Sequence, residues 1–181
     1  MSATVKISLF CLLLTSLVQL TIKEELVDSP DKYLDLLHFN DAYNVYMSPQ
    51  FAQKFTSYSN DKYAVKMFSG DIYSPAKETR YFSGEQFDPF FKAVKLDAAG
   101  VGNHEFDLGV KQFLNLNAKH KIPWTLFNIA KDAKKTPGNP HADDTAKLLK
   151  EVYNPIIIER NGFKIGTFGL FDEDSFKGSR L

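Results

Sequence analysis

Three short blocks hold the side chains best suited to chemistry: Asn40-Asp41-Ala42-Tyr43, Gly70-Asp71 and Gly102-Asn103-His104-Glu105. Two carboxylates, an amide oxygen and an imidazole form a ligand set for hard to borderline divalent cations. A cation held this way polarises phosphoryl oxygens and lowers the pKa of its bound water, so the chemistry indicated is hydrolysis of phosphate esters. A single Asp at a strand end is more often a cap or a turn former. The weight lies in three such blocks in order, each following an apolar run that reads as a buried strand, over residues 34–39, 63–68 and 98–101. Open α/β sheets collect their ligands at the C-terminal ends of strands, where loops from neighbouring strands converge. Glycine at 102 would let the backbone turn sharply there and approach a ligand closely.

The elements between the blocks supply the alternation such a sheet needs. A helix is expected over 49–59, and Asp88-Pro89 reads as an N-cap with proline at the first helical position, opening a helix through Phe90, Phe91, Val94 and Leu96. A further helix is expected over 108–119, with Val110, Phe113, Leu114 and Leu116 on or near one face, then a fourth strand over 124–127. Strands alternating with helices at this spacing predict an α/β fold with a parallel or mixed sheet covered by helices. Residues 130–150, with Thr136-Pro137-Gly138-Asn139-Pro140, read as a solvated excursion plus a short helix. The apolar segments 153–159 and 163–170 flank Arg160-Asn161-Gly162, and Asn-Gly is a strong type I′ turn signal, so a β-hairpin is expected.

Composition excludes some partners. Lysine plus arginine and aspartate plus glutamate number 22 each among 181 residues, so no net field favours nucleic acid or an anionic membrane. Sixteen phenylalanines and eight tyrosines supply core volume and argue against disorder. The Phe87, Phe90 and Phe91 cluster reads as core packing, since the basic residues that accompany nucleic-acid stacking sites are missing. Lys6 followed by an apolar stretch over 7–20, broken by Ser8, Thr15, Ser16 and Gln19, has the pattern of a targeting segment. Residues 1–22 would be a cleaved secretory signal, or a signal anchor if uncleaved, giving a secreted or lumenal protein or a membrane-anchored one. Cys11, the single cysteine, lies inside this segment.

These residues resemble the calcineurin-like metallophosphoesterases, specifically the 5′-nucleotidase branch. Leu37-His38-Phe39-Asn40-Asp41 is similar to its opening block. Phe68-Ser69-Gly70-Asp71 with Ser74-Pro75 is similar to its second, and Gly102-Asn103-His104-Glu105-Phe106-Asp107-Leu108-Gly109 to its third. Similarity continues through Ile122-Pro123-Trp124 and from Ile158 to Gly166, then Gly169-Leu170. The resemblance implies the N-terminal half of a catalytic domain that, when complete, is a four-layer α/β/β/α sandwich, here occupying 32–181. It implies two divalent metal ions (Zn, Mn, Mg, Co or Ca). Asp41 would bind the first, Asp71 would bridge both and Asn103 would bind the second. Metal-bound water would be the nucleophile on a nucleotide or other small phosphate ester. His104 would face the phosphate, with Asp107 orienting its ring, although Asp107 also reads as a cap for the helix that follows.

The sequence departs from the branch at two places. Where the first block has Asp-x-His, Tyr43 stands at the second ligand position, followed by Asn44. Phenol must lose a proton of pKa about 10 to bind a metal well. The family's later Thr-His and Gly-His-x-His blocks belong beyond the hairpin, and His120 and His141 are the remaining imidazoles outside matching blocks. His38, inside the first strand, reads as a buried hydrogen-bonded residue, and Glu105 as structural. The leading function is therefore hydrolysis of nucleoside 5′-phosphates. Its alternatives are phosphoesterase action on cyclic nucleotides or nucleotide sugars, or a noncatalytic relative acting as a binding protein.

Overall fold

The computed structural model describes residues 4–9, 33–44, 48–58, 62–128, 142–152 and 154–172. Five strands form one parallel sheet in sequence order: β1 (Thr4–Leu9), β2 (Tyr33–Phe39), β3 (Ala64–Phe68), β4 (Ala98–Gly100) and β5 (Trp124–Thr125). Register aligns Phe39 with Phe68, Phe68 with Ala99, and Ala99 with Trp124. A single buried row thus crosses four strands, and the blocks that follow β2, β3 and β4 leave the sheet at one level.

Helices α1 (Pro49–Ser57), α2 (Thr79–Phe82), α3 (Asp88–Val94), α4 (Val110–His120) and α5 (Ala142–Val152) connect the strands. The face holding Leu37, Phe39, Phe68, Ala99 and Trp124 packs into one core with Phe55, Phe90, Phe91, Val94, Phe113, Leu148 and Val152 from the helices. The other face holds Leu34, Val65 and Ala98, which pack against Ile158 of a second, antiparallel sheet. That sheet is β6 (Ile156–Arg160) and β7 (Phe163–Thr167). Helices, parallel sheet and hairpin are therefore three successive layers, the α/β class expected. Burial on both faces explains why β2 and β3 read as nearly continuous apolar runs.

Local chemistry fixes several boundaries. Ser48 caps α1, its hydroxyl accepting from the Phe51 N–H at 3.2 Å, with Pro49 at the first turn. Asn161 and Gly162 have φ of 47° and 75°, the two left-handed residues a type I′ hairpin requires. The reading of Asp88 as an N-cap is corrected. A 3₁₀ turn over Glu85–Phe87 runs directly into α3, so Phe87 stands at the cap and Asp88 is already helical. Its carboxylate instead accepts from Lys92, one turn on, at 2.6 Å. The helix expected over 108–119 begins two residues later, after Gly109 at φ 83°, and the fourth strand is shorter than expected.

Thr4–Leu9, inside the segment read as a targeting sequence, forms β1 on the outer edge of β2. Val5, Ile7 and Leu9 alternate with Lys6 and Ser8, a period of two that a strand can use. The rest of that segment, and His141, lie outside the described residues. Among those described, no helix is long and apolar enough to cross a membrane.

Phe39 is the hub of the helix-side core, 4.7 Å from the ring of Phe68 and 5.2, 5.5 and 5.8 Å from those of Phe55, Phe51 and Phe90. Phe39→Ala is expected to lower the free energy of unfolding by about 3–5 kcal/mol. Tyr81→Ala, at a residue 84% exposed, is expected to change it by less than about 0.5 kcal/mol. Urea titration of both variants checks the contrast.

Candidate metal centre

The first and second blocks are joined through their backbones. Ser69 N–H donates to Phe39 C=O at 3.1 Å, Asp41 N–H to Gly70 C=O at 3.1 Å, and Ala42 N–H to Asp71 C=O at 3.0 Å. These bonds carry the parallel pairing of β2 and β3 past the sheet's end and bring Asp41 beside Asp71. Both aspartates have left-handed backbones, with φ of 51° and 67°. That region is sparsely used by residues other than glycine and tends to occur at functional sites.

The second and third blocks meet more closely. A Cβ on Gly70 would stand 2.4 Å from the Gly102 nitrogen, and one on Gly102 would stand 2.3 Å from Asp71 Oδ1. Neither position has room for a side chain. Asp71 Oδ1 accepts from the His104 N–H at 2.9 Å. The buried Glu105 carboxylate accepts from the N–H groups of Asp71 and Ile72, each at 2.8 Å, and of Gly102 at 2.7 Å. The first and third blocks touch through the rings of Tyr43 and His104, edge to face with centroids 5.6 Å apart. All three blocks therefore belong to one cluster, as their order along the sequence suggests.

His104 Nδ1 is hydrogen-bonded to Asp107 Oδ2 at 2.8 Å across one turn of the 3₁₀ helix Asn103–Phe106. Of the two readings of Asp107, the structure displays the ring-orienting contact, while Gly109 occupies the cap position of α4. With Nδ1 engaged, Nε2 is the nitrogen left to meet a substrate. Asp71 has its pKa raised, first by burial and also by Asp41 and Asp107, while the His104 N–H bond opposes the rise. Glu105, fully enclosed, is pushed up to about 7 by burial against the pull of its N–H partners.

Tyr43 behaves differently from a metal-binding imidazole. Its O–H donates to Asp41 Oδ1 at 2.7 Å, and Asn40 Nδ2 donates to Asp41 Oδ2. Burial, that hydrogen bond and the charges of Asp71, Asp41 and Glu105 all raise the phenol pKa. It stands here as a neutral donor. His38 forms the hydrogen bond expected of it, Nε2 to Ser69 Oγ at 2.6 Å, and burial lowers its pKa. His120 lies elsewhere, 3.0 Å from the Tyr73 hydroxyl with its ring against Phe91.

Donor chemistry in the cluster fits a divalent cation: two neighbouring carboxylates and the Asn103 amide are hard oxygen ligands where negative charge is crowded. They make up part of a shell. Among the described residues no three His, Cys, Asp or Glu side chains converge closely enough to hold a metal ion by themselves. Glu105 is the residue whose importance the sequence understated. Its place in Gly-Asn-His-Glu was visible, but its bonds to Asp71 and Ile72 arise only when β3 and β4 pair.

Acidic and histidine loops thus stand at the strand ends of a parallel sheet layered between helices and a hairpin. The structure matches that of a 5′-nucleotidase precursor from Thermus thermophilus with a TM-score of 0.56 and 16% identity, over 78% of this chain and 29% of that one. In sequence the chain is similar to a 5′-nucleotidase of Diplobatis ommata, 26% identical over 117 residues, which is 65% of this chain and 19% of that protein. No family model matches. The resemblance to the N-terminal part of the 5′-nucleotidase branch thus holds in sequence and in fold. The chain spans less than a third of either protein's length.

Burial lowers the pKa of His120 to about 4, with Asp88 and Glu85 opposing and Lys119 and Lys92 assisting. A histidine depressed in the folded state binds fewer protons than in the unfolded state, so its stability contribution is full above about pH 6.5 and is lost as pH falls toward 4. His120→Gln is expected to flatten the pH dependence of unfolding across that window. Urea titrations at pH 7, 5.5 and 4.5 check it, and a slope equal to that of the parent chain contradicts the assignment.

Proposed function

We propose that this chain is the ligand-bearing N-terminal part of a metal-dependent phosphoesterase acting on phosphate monoesters, with nucleoside 5′-phosphates as the substrate class. The observation that supports the reading is the meeting of the loops after three adjacent parallel strands, which joins Asp41 and Asp71 to the His104–Asp107 pair, with Asn103 next to His104 in the chain. The 5′-nucleotidases it resembles supply the substrate class.

Asp41, Asp71 and Asn103 would hold the divalent cation, whose chemistry is polarisation of phosphoryl oxygens and a lowered pKa for coordinated water. Asp107 holds the imidazole through Nδ1, which would leave His104 Nε2 to face the oxygen on which charge develops. The Asp71 carboxylate, its Oδ1 held by the His104 N–H, couples the acid group to the cation site. Tyr43 offers a neutral O–H beside Asp41. The apolar stretch after Lys6 supports entry to the secretory pathway, with membrane attachment only if that segment stays uncleaved.

A second reading rests on Tyr43. With both Asp41 oxygens engaged, by the phenol and by Asn40, the first cation position is weakened, which suits a noncatalytic relative that binds phosphate esters. Initial rates with Mn²⁺ on nucleoside 5′-monophosphates, cyclic nucleotides and nucleotide sugars separate the readings. The phosphoesterase reading expects 5′-monophosphates to be fastest and Asp71→Asn to reduce their hydrolysis to background. Rates at background for every ester and divalent metal support the binding protein. Tyr43→His is expected to tighten Mn²⁺ binding, followed by the paramagnetic signal of the free ion, and unchanged affinity would mean position 43 does not face the cation.

A further inference from the structure

The geometry points to Glu105 as the positioning residue that sets the spacing between the second and third ligand blocks, a role that rests on the cation reading proposed above. Glu105 is 1% exposed, so it meets neither solvent nor substrate and is not itself a catalytic group. Its Oε2 accepts from the N–H groups of Asp71 at 2.8 Å and Gly102 at 2.7 Å, and its Oε1 from that of Ile72 at 2.8 Å. One carboxylate thus spans two loops, the one after β3 and the one after β4. The grip is reciprocal, because Asp71 Oδ1 accepts the His104 N–H at 2.9 Å. Each loop sends a carboxylate to the backbone of the other.

Three converging N–H donors need an acceptor on every side. A glutamine would turn an NH₂ group toward at least one of them, leaving a buried donor without a partner. Aspartate keeps the charge but falls one methylene short. The loops cannot compensate by sliding together, because Gly70 and Gly102 already meet where a Cβ would lie 2.4 Å from backbone nitrogen. Nor can they separate without opening the bonds to Glu105. Asp71 and Asn103 flank this junction, so their mutual placement follows from the length and charge of one buried side chain. Groups that orient metal ligands in this way typically contribute roughly 10- to 100-fold to metal affinity.

The test uses the full 181-residue chain with Mn²⁺ as the probe, measured by the paramagnetic signal of the free ion. Glu105→Gln is expected to weaken Mn²⁺ binding by about 10-fold or more. Val94→Ala, in the core of α3 and without a bond to either loop, is the control for general destabilisation and is expected to stay within about twofold. Equal losses in the two variants, or an E105Q affinity within about twofold of the parent chain, overturn the inference. Hydrogen exchange of the metal-free chain gives an independent readout. E105Q is expected to lose protection at the amides of Asp71, Ile72 and Gly102 while the β6–β7 hairpin keeps its own. Unchanged protection at those three amides overturns the clamp whatever the metal does. A parent chain that binds no Mn²⁺ overturns the cation reading instead, and lost amide protection in E105Q would then still support the clamp. Should E105Q not fold, Glu105→Asp takes its place with the same expected losses and the same overturning results.

Discussion

The register of the parallel sheet is the constraint on which the rest depends. Phe39, Phe68, Ala99 and Trp124 occupy one row across β2, β3, β4 and β5, each at most 3% exposed. A slip of one residue in any strand would turn its apolar set to the opposite face. Here one face packs on helices and the other on the β6–β7 hairpin, so both faces resist such a slip. Because the row is level, the residues two and three positions beyond it are level too, and these are Asp41, Asp71 and Gly102. The site inherits its geometry from hydrophobic packing several ångströms away.

Packing alone would leave three acidic loops that repel one another. Asp41, Asp71, Glu105 and Asp107 are four carboxyl groups within one small region, and burial and their mutual charge raise the pKa of Asp71. Backbone N–H groups offset part of this: three are aimed at Glu105, and a fourth, that of His104, at Asp71. Left-handed backbone at Asp41 and Asp71 adds local strain of the order of 1 kcal/mol or more at each position. A cluster that concentrates negative charge and strain at strand ends would be stabilised by a cation bound there, as the proposed function requires.

Much of this was legible in the sequence because the decisive signals were local. The hairpin turn lay in Asn161-Gly162, and the three blocks in their own short runs after apolar strands. The Asp107 contact with His104 was expected from the family resemblance, and spacing alone also allowed a helix cap. What escaped depends on elements distant in the chain. Asp88 looked like a cap because Pro89 follows it, yet the 3₁₀ turn before it continues into α3 and moves the cap to Phe87. Glu105 read as a structural residue, and two of its three partners, Asp71 and Ile72, appear only once β3 and β4 are paired. Tyr43 read as an altered ligand position, and the structure adds its tie to Asp41 and its contact with His104.

The two sides of the cluster are consequently built on different principles. His104 and Glu105 sit on the 3₁₀ turn that Asp107 directly follows, so the third block orients its own imidazole through a local contact. Asp41 has no such support from regular structure. Its carboxylate is held by Asn40 and Tyr43, both within two residues, and its backbone by Gly70. An imidazole at position 43 would offer a lone pair where the phenol offers a proton, so the substitution changes the polarity of the group as well as its reach. Asp41 thus has both carboxylate oxygens engaged by partners within its own block, whereas Asp71 Oδ1 reaches across to the backbone of the neighbouring loop.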